Sequence, residues 1–163
     1  MKDFSHYNDQ GRPQMVNISE KQPSVRTATA TSRVRLSKTL YEAIHSDSIQ
    51  KGDPLPVAQV AGIMAAKKTS EWIPMCHPIM LQGTDLHFTY ERDGDDYLLS
   101  ITAVVTVDAS TGVEMEALTA VTAAALTFYD MCKSVDKAMI IEETYLVEKT
   151  GGKKGDFHHP RKQ

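Results

Sequence analysis

Cysteine is scarce in this 163-residue sequence, which contains only two, Cys76 and Cys132. Two cysteines do not make the dense disulfide framework of a small secreted domain. They also lack the CxxC spacing, and no HExxH is present, so a zinc centre is a weak alternative and we predict no bound metal. Long hydrophobic runs are missing as well, since no apolar stretch approaches the roughly 20 residues that a membrane helix needs. We therefore expect no membrane span.

Positive charge is not in excess either. The sequence has 18 Lys and Arg against 21 Asp and Glu, a net charge of −3 at pH 7. Because non-specific nucleic-acid binding needs a basic surface, we expect no nucleic-acid partner. The polar N-terminal stretch has no apolar segment typical of a signal peptide, so we expect a cytoplasmic protein. With 41% hydrophobic and 24% charged residues, residues 1–163 are predicted to form one domain with mobile arms at about 1–14 and 150–163.

The hydrophobic pattern predicts an α+β fold. Six segments have the period of a strand or a helix: a strand over 24–36, a short helix capped by Ser37, a helix capped by Asp53, a hairpin around 93–95, a long helix over 111–135 and a last strand over 139–148. This order is close to β-α-β-β-α-β, the ferredoxin-like arrangement, with one extra helix. The helices would then cover one face of an antiparallel sheet.

Both longer helices are expected to present an apolar stripe to the core. In the first, the stripe consists of Val57, Val60, Ala61, Met64 and Ala65. In the second, it consists of Leu118, Val121, Ala125, Phe128, Cys132 and Val135. Thr111 and Glu114 have the spacing of a capping box at the start of the second helix. At about 100° per residue, Glu116 and Asp130 fall on the side turned away from its stripe.

An acid and a base, Asp130 and Lys133, lie three residues apart on the long helix. Taken alone, such a pair is more often a surface ion pair, but in a partly dry site it becomes a proton-transfer unit. Glu116 and Asp130 are separated by about 21 Å of helix. Either the ligand is long, or each end of the helix belongs to a site that a neighbouring subunit completes. We adopt the second interpretation as a hypothesis.

Three other segments offer groups that bind anions or rings. Lys51 precedes a predicted helix N-terminus, where the helix dipole favours an anion. The alternative is that Lys51 is an ordinary solvated loop lysine. Cys76 and His77 lie in a loop bracketed by prolines, which suits a binding residue. A basic, glycine-rich tail, with Lys149, Lys153 and Lys154, either closes over a phosphate-bearing ligand or is an ordinary charged tail. It lacks the P-loop pattern.

Several of these segments resemble one known family. TGVEMEALTA followed by YDMCK, together with KGDP, AGIMAAKKTSEWIPMCHP and TGGKKGDF, is similar in sequence and order to the MoaC family of molybdenum cofactor biosynthesis. The resemblance runs from about Met15 to Phe157. It implies an α+β fold and a hexamer, a trimer of dimers with active sites between subunits. It also implies a lyase without a cofactor that converts a small molecule, 3′,8-cyclo-7,8-dihydro-GTP, to cyclic pyranopterin monophosphate and pyrophosphate. A radical S-adenosylmethionine GTP cyclase would supply that substrate.

The resemblance also implies roles for individual residues. Asp130 is the leading catalytic residue, with Lys51 and Lys133 as acid–base or phosphate partners. The substrate-binding residues would be Met75, Cys76, His77, Glu114, Met115 and Glu116, with Lys149 and Arg26 as triphosphate contacts. The chain departs from the family pattern at Asn17, Met75 and Ser110. The rival hypothesis is a non-catalytic nucleotide-binding or assembly protein of the same fold, in which Asp130 and Lys133 form a surface pair.

Overall fold

The computed structural model describes residues 6–46, 48–153 and 155–160. Its elements are, in chain order, β1 (Ser24–Ser37), α1 (Lys38–His45), α2 (Pro54–Lys67), α3 (Thr69–Trp72), β2 (Gly83–Asp93), β3 (Asp96–Ala109), α4 (Glu114–Cys132), β4 (Ile140–Thr150) and β5 (Phe157–His158). The predicted order of strand, two helices, hairpin, helix and strand is confirmed. The short elements α3 and β5 are additions to it.

The strands form one antiparallel sheet in the order β2-β3-β1-β4-β5. β1 pairs with β3 along its whole length, from Ser24 opposite Ala109 to Ser37 opposite Asp96. Because β3 lies between β1 and β2, and β1 lies between β3 and β4, two βαβ units are interleaved. This is the α+β, ferredoxin-like arrangement that the sequence predicts.

A tight hairpin leads into β3, the strand whose inward side chains are apolar and buried. Gly94 and Asp95 join β2 to β3, and Gly94 has φ 63°, the left-handed region that glycine adopts without steric penalty. The returning strand β3 then buries five alternating residues: Leu99, Ile101, Ala103, Val105 and Val107. Ala28, Ala30 and Val34 on one face of β1 pack beside them under α4.

Helix α4 is the centre of the core because it packs on the sheet with one side and on the neighbouring helix α2 with another. The middle of its predicted stripe is fully buried: Val121, Ala125, Phe128 and Cys132. The prediction was wrong for Val135, which lies beyond the helix and is exposed. It was also wrong for Glu116, which is only 3% exposed instead of turned away from the core.

The predicted capping box at the start of α4 does not form. Val113 is the N-cap residue, and no side chain among the described residues caps the helix. The carboxylate of Glu114 instead accepts a hydrogen bond of 2.6 Å from Lys149 Nζ on β4. Because the Glu114 carboxylate is paired with Lys149, it does not turn back to the first backbone N–H groups of α4 as a capping box requires.

The caps predicted for the first two helices are confirmed. Ser37 Oγ accepts from the Leu40 N–H at 3.3 Å, and Asp53 Oδ1 accepts from the Leu55 N–H at 3.0 Å. Each cap satisfies one backbone donor that the first turn leaves unpaired. The second cap also fixes the end of the loop that contains Lys51.

In the stripe of helix α2 that was predicted to pack on the core, Ala65 is buried as expected, but the rest of the buried face differs from the prediction. The buried residues of the helix are Pro54, Ala58, Gly62, Ala65 and Ala66. A Cβ added to Gly62 would lie 2.9 Å from the carbonyl oxygen of Ala120, so the backbones of α2 and α4 approach closely. Only small residues fit such an interface. The larger members of the predicted stripe therefore point outward, with Val57 44%, Val60 61% and Met64 46% exposed.

The end of the chain contains more structure than its composition indicates. β4 continues to Thr150, and the short strand β5 pairs with Glu148 and Lys149. Lys154 lies outside the described residues. The mobility of the two arms stays a prediction. Among the described residues, no helix is long and apolar enough to cross a membrane.

Candidate active site

Three charged side chains meet at the C-terminal end of α4, and we call them the Lys51 cluster. Asp130 Oδ1 accepts from Lys133 Nζ at 2.7 Å, and Asp130 Oδ2 accepts from Lys51 Nζ at 3.2 Å. Lys51 Nζ also donates to the main-chain oxygen of Asp130 at 2.9 Å. The structure thus brings together Asp130, Lys51 and Lys133, which are up to 82 residues apart in the chain.

Local structure on both sides of Lys51 holds it in place. Ile49 is buried, and its carbonyl accepts a hydrogen bond of 2.9 Å from the Gly52 N–H, which closes a turn around Lys51. Gly52 has φ 85°, a conformation that favours glycine. The chain then enters α2 through the Asp53 cap. A loop anchored at both ends aims the ammonium group at α4.

Mutual hydrogen bonds set the charge state of the Lys51 cluster. The hydrogen bond from Lys133, followed by that from Lys51, holds the pKa of Asp130 below its ordinary value. The hydrogen bond to Asp130 raises the pKa of Lys133. Near neutral pH the cluster therefore presents two ammonium donors that one ionised carboxylate orients. Such groups can donate protons or stabilise a developing negative charge.

A cavity of about 460 Å³ lies at the opposite, N-terminal end of α4. It contains six of the predicted substrate-binding residues: Met75, Cys76, His77, Glu114, Met115 and Glu116. The other lining residues are His6, Val16, Ile18, Lys21, Ile79, Thr111 and Gly112. We call this cavity the carboxyl pocket, because two glutamates lie in its wall.

Burial in the carboxyl pocket shifts the pKa of two of its side chains, Glu116 and Cys76. A hydrogen bond of 2.8 Å between His77 Nε2 and the Val16 carbonyl holds the N-terminal segment against the 75–77 loop. Burial, with a smaller contribution from the charge of Glu114, raises the pKa of Glu116 to about 7. Burial, followed by the charge of Glu116, also raises the pKa of Cys76. Glu116 can therefore gain or lose a proton near neutral pH, and Cys76 remains a thiol.

A second cavity of about 350 Å³ adjoins the first. Within the described part of the chain, four cationic residues line it, and we call it the cation pocket: Lys21, Arg26, Lys149 and Lys153. The two cavities share the lining residues Lys21, Thr111 and Gly112, and we call the two neighbouring cavities together the cleft. Arg26 is oriented by a hydrogen bond of 3.0 Å from its Nε to the Ala109 carbonyl. The carboxyl pocket thus offers a mixed polar and apolar surface, and the cation pocket beside it suits several phosphates.

Comparison with known proteins identifies the family. The family model described as the MoaC family matches residues 15–152. The chain belongs to the MoaC family. Among its relatives, a cyclic pyranopterin monophosphate synthase of Shouchella clausii (strain KSM-K16) is 72% identical over 163 residues, which cover 100% of this chain and 98% of the relative.

Two other proteins with the same name are similar along their whole length. The protein of Lysinibacillus sphaericus (strain C3-41) is 64% identical over 159 residues, 98% of this chain and 99% of the relative. That of Geobacillus kaustophilus (strain HTA426) is 57% identical over 162 residues, 99% of each chain. The predicted resemblance to the MoaC family is confirmed.

Sequence reasoning missed one cation of this MoaC-family cleft. Lys21 lines both cavities, and Ser110 Oγ fixes its backbone by donating to the Lys21 carbonyl at 2.6 Å. Its position depends on how the polar N-terminal segment folds back, and no periodic pattern in the sequence signals that. Asn17, like Ser110 a departure from the family pattern, accepts a hydrogen bond from the Ser19 N–H at 2.9 Å through its side chain and stabilises a local turn.

The structure keeps the two halves of the predicted site apart. The carboxyl and cation pockets lie at the start of α4, and the Lys51 cluster lies at its end. Glu116 and Asp130 are 14 residues apart on the helix, about 21 Å. Among the described residues, no group of three or more His, Cys, Asp or Glu side chains is arranged to hold a metal ion. The role of each site residue stays a prediction.

Proposed function

We propose that this chain is a cyclic pyranopterin monophosphate synthase, a cytoplasmic lyase of molybdenum cofactor biosynthesis. It converts 3′,8-cyclo-7,8-dihydro-GTP, made by a radical S-adenosylmethionine GTP cyclase, to cyclic pyranopterin monophosphate and pyrophosphate. The names of relatives up to 72% identical support the reaction. The observation that carries the proposal is the cleft, in which a compartment with a protonatable carboxyl adjoins one lined by four cations. A ring system and a triphosphate chain need these two environments.

The cation pocket suits the phosphate half of this reaction. A hydroxyl oxygen of the substrate attacks the α-phosphorus, and the bond to the bridging oxygen of pyrophosphate breaks. The leaving pyrophosphate gains negative charge, which Arg26, Lys149 and Lys153 stabilise. Oriented ammonium and guanidinium donors are the usual partners of phosphate oxygens.

The Lys51 cluster suits the ring-opening and rearrangement half. These steps move protons to and from nitrogen and oxygen atoms of the substrate. Lys51 and Lys133 carry protons that they can deliver, and the Asp130 carboxylate orients both ammonium groups. Asp130 therefore has the central position that the family resemblance implies.

We further propose that each active site is shared between subunits of a homo-oligomer, a hexamer built as a trimer of dimers. One small substrate cannot reach the cleft and the Lys51 cluster of the same protomer, because about 21 Å of helix separates them. Within the protomer, the side chains of Lys51, Asp130 and Lys133 are 43%, 58% and 50% exposed. A neighbouring cleft that covers the cluster would provide the dry environment that proton transfer needs.

Turnover of the cyclised GTP intermediate tests the proposed reaction. Wild-type protein should release pyrophosphate and form the pterin together, without added metal. Lys51→Ala and Asp130→Ala should lose both products while remaining folded. Lys38→Ala is the control, because Lys38 forms an exposed helix pair with Glu42 that lies outside the site. If the wild type binds the intermediate and forms neither product, the protein is a binding protein and the lyase proposal is wrong.

Hybrid oligomers test the shared site. Arg26→Ala and Asp130→Ala subunits with different affinity tags are co-expressed, and hybrids are isolated through both tags. In a two-fold symmetric hybrid, one site combines the intact cleft of the Asp130→Ala subunit with the intact Lys51 cluster of the Arg26→Ala subunit, whereas the other site contains both defects. Roughly half of the wild-type activity should therefore return. Hybrids of Lys51→Ala with Asp130→Ala should remain inactive, because both residues belong to one cluster. No recovery in the first hybrid would contradict the shared site.

A further inference from the structure

The ion pair between Glu114 and Lys149 stands between the two pockets. Lys149 Nζ and Glu114 Oε1 are 2.6 Å apart, and the side chains are 38% and 27% exposed. Glu114 lines the carboxyl pocket, and Lys149 lines the cation pocket. One of the four cations that would meet a phosphate is therefore already neutralised by a carboxylate of this chain.

Gly112 makes room for this pair. A Cβ added to Gly112 would collide with Glu114 Oε2 and lie 2.8 Å from Glu114 Cδ. The carboxylate thus occupies the space that any other residue at position 112 would fill. Gly112 does not have a positive φ, so the glycine leaves space for the Glu114 carboxylate and does not serve a special backbone conformation.

We propose that Glu114 is a counter-ion that Lys149 exchanges for a phosphate oxygen of the ligand, and that Gly112 permits the exchange by leaving room for the carboxylate. This inference rests on the proposed function, since pyrophosphate is the anion that the cation pocket must release. A polyanion can engage Lys149 only after the Lys149–Glu114 pair opens. The pair therefore lowers the affinity of the pocket for pyrophosphate and assists its release.

The direct experiment is calorimetric titration of the full-length protein with pyrophosphate. Glu114→Gln keeps the size of the side chain and removes its charge, so pyrophosphate should bind more tightly, by about two- to fivefold for a half-exposed ion pair. Gly112→Ala should act in the same direction, because the methyl group displaces the carboxylate from Lys149. Lys149→Met should weaken binding. Unchanged or weaker binding in Glu114→Gln would overturn the proposal.

A double-mutant cycle separates exchange from simple repulsion. If Glu114 acts by holding Lys149, the gain from Glu114→Gln should disappear in the Lys149→Met background. A gain that persists in full would mean that the carboxylate merely repels the anion, and the exchange would be wrong. A destabilised fold cannot imitate the expected result, because it would not tighten binding.

Two matched controls exclude general effects of charge and of the added methyl group. Glu42→Gln removes a carboxylate that pairs with Lys38 on the exposed side of α1. Gly83→Ala adds a Cβ whose nearest neighbour, Thr106 Cβ, lies at an ordinary 3.9 Å. Neither variant should change pyrophosphate affinity.

The titration does not depend on turnover, so the two proposals can fail separately. If the variants bind pyrophosphate as expected and the wild type makes no product, the lyase proposal is wrong and the exchange stands. If the wild type turns over and Glu114→Gln does not tighten binding, the exchange is wrong and the enzyme stands.

Discussion

At the scale of single residues, the charge state of the Lys51 cluster depends on two unequal hydrogen bonds to the carboxylate of Asp130. The bond from Lys133 is 2.7 Å long and that from Lys51 is 3.2 Å long. We expect Lys133→Ala to raise the pKa of Asp130 towards its ordinary value, and by more than Lys51→Ala does. Nuclear magnetic resonance titration of the carboxyl carbon measures both changes. Lys67→Ala, at the end of α2, is the control, and an Asp130 pKa that stays low in both cluster variants would contradict the assignment.

Glu116 should make the stability of the protein depend on pH. Burial raises its pKa from 4.5 to about 7 in the folded state, so the folded protein holds the proton more tightly than the unfolded chain. Its contribution to stability is therefore fully present below pH 4.5 and is lost as the pH rises through 7. The loss amounts to about 3 kcal/mol.

Urea unfolding at several pH values checks this prediction. Wild type should lose stability relative to Glu116→Gln between pH 4.5 and 7, because glutamine does not titrate. Glu91→Gln, on an exposed part of β2, serves as the control for removing a carboxylate. A difference between wild type and Glu116→Gln that stays constant across this range would show that the pKa is not raised.

At the scale of the elements, Gly62 sets the distance between α2 and α4. Its added Cβ would lie 2.6 Å from Leu86 Cδ2 and 2.9 Å from the Ala120 carbonyl oxygen, which belongs to helix backbone and cannot move alone. Alanine is normally the better helix former. Here we expect Gly62→Ala to destabilise the protein by about 1–3 kcal/mol, the usual effect of overpacking.

Thermal or urea unfolding of Gly62→Ala tests this close approach. Gly83→Ala is the matched control, since its new methyl group has ordinary contacts and should change stability little. A Gly62→Ala protein as stable as the wild type would mean that the two helices can separate freely.

The same helix pair explains why the orientation of α2 was wrongly predicted. Periodicity shows that Val57, Val60 and Met64 share a face, but it does not show what covers that face. The opposite face has small residues, and those allow α2 to approach α4 closely. Large side chains were assigned to the core because they bury more area, yet the tight interface excludes them.

At the scale of the whole molecule, the outward face of α2 is expected to lie at a subunit contact of the proposed oligomer. Three exposed apolar residues, Val57, Val60 and Met64, follow one another at helical spacing. Large apolar surfaces of this kind often mark interaction sites. We expect Val60→Glu to reduce the mass of the oligomer, since burying an unpaired charge is unfavourable.

Light scattering after size-exclusion chromatography measures that mass. Thr39→Glu, on the exposed side of α1, places the same charge elsewhere and should leave the mass unchanged. A Val60→Glu protein with the wild-type mass would exclude this face from the contact.

The local chemistry of this protein could be predicted from its sequence. The strand and helix order, the Ser37 and Asp53 caps and the hairpin at Gly94 follow from neighbouring residues. The family motifs also identify Lys51, Asp130 and Lys133 as candidates. Such features depend on spacing and propensity over a few residues, or on motifs that a family preserves as units.

Other features required the tertiary structure, because they depend on contacts between distant segments. The burial of Glu116 results from the N-terminal segment and the 75–77 loop, which no local pattern brings to the start of α4. Lys21 reaches the cleft in the same way. Glu114 pairs with Lys149 across 35 residues of chain, which overrides its local capping pattern. Sequence determined which groups are present and in what local structure, whereas long-range packing decided which are buried and paired.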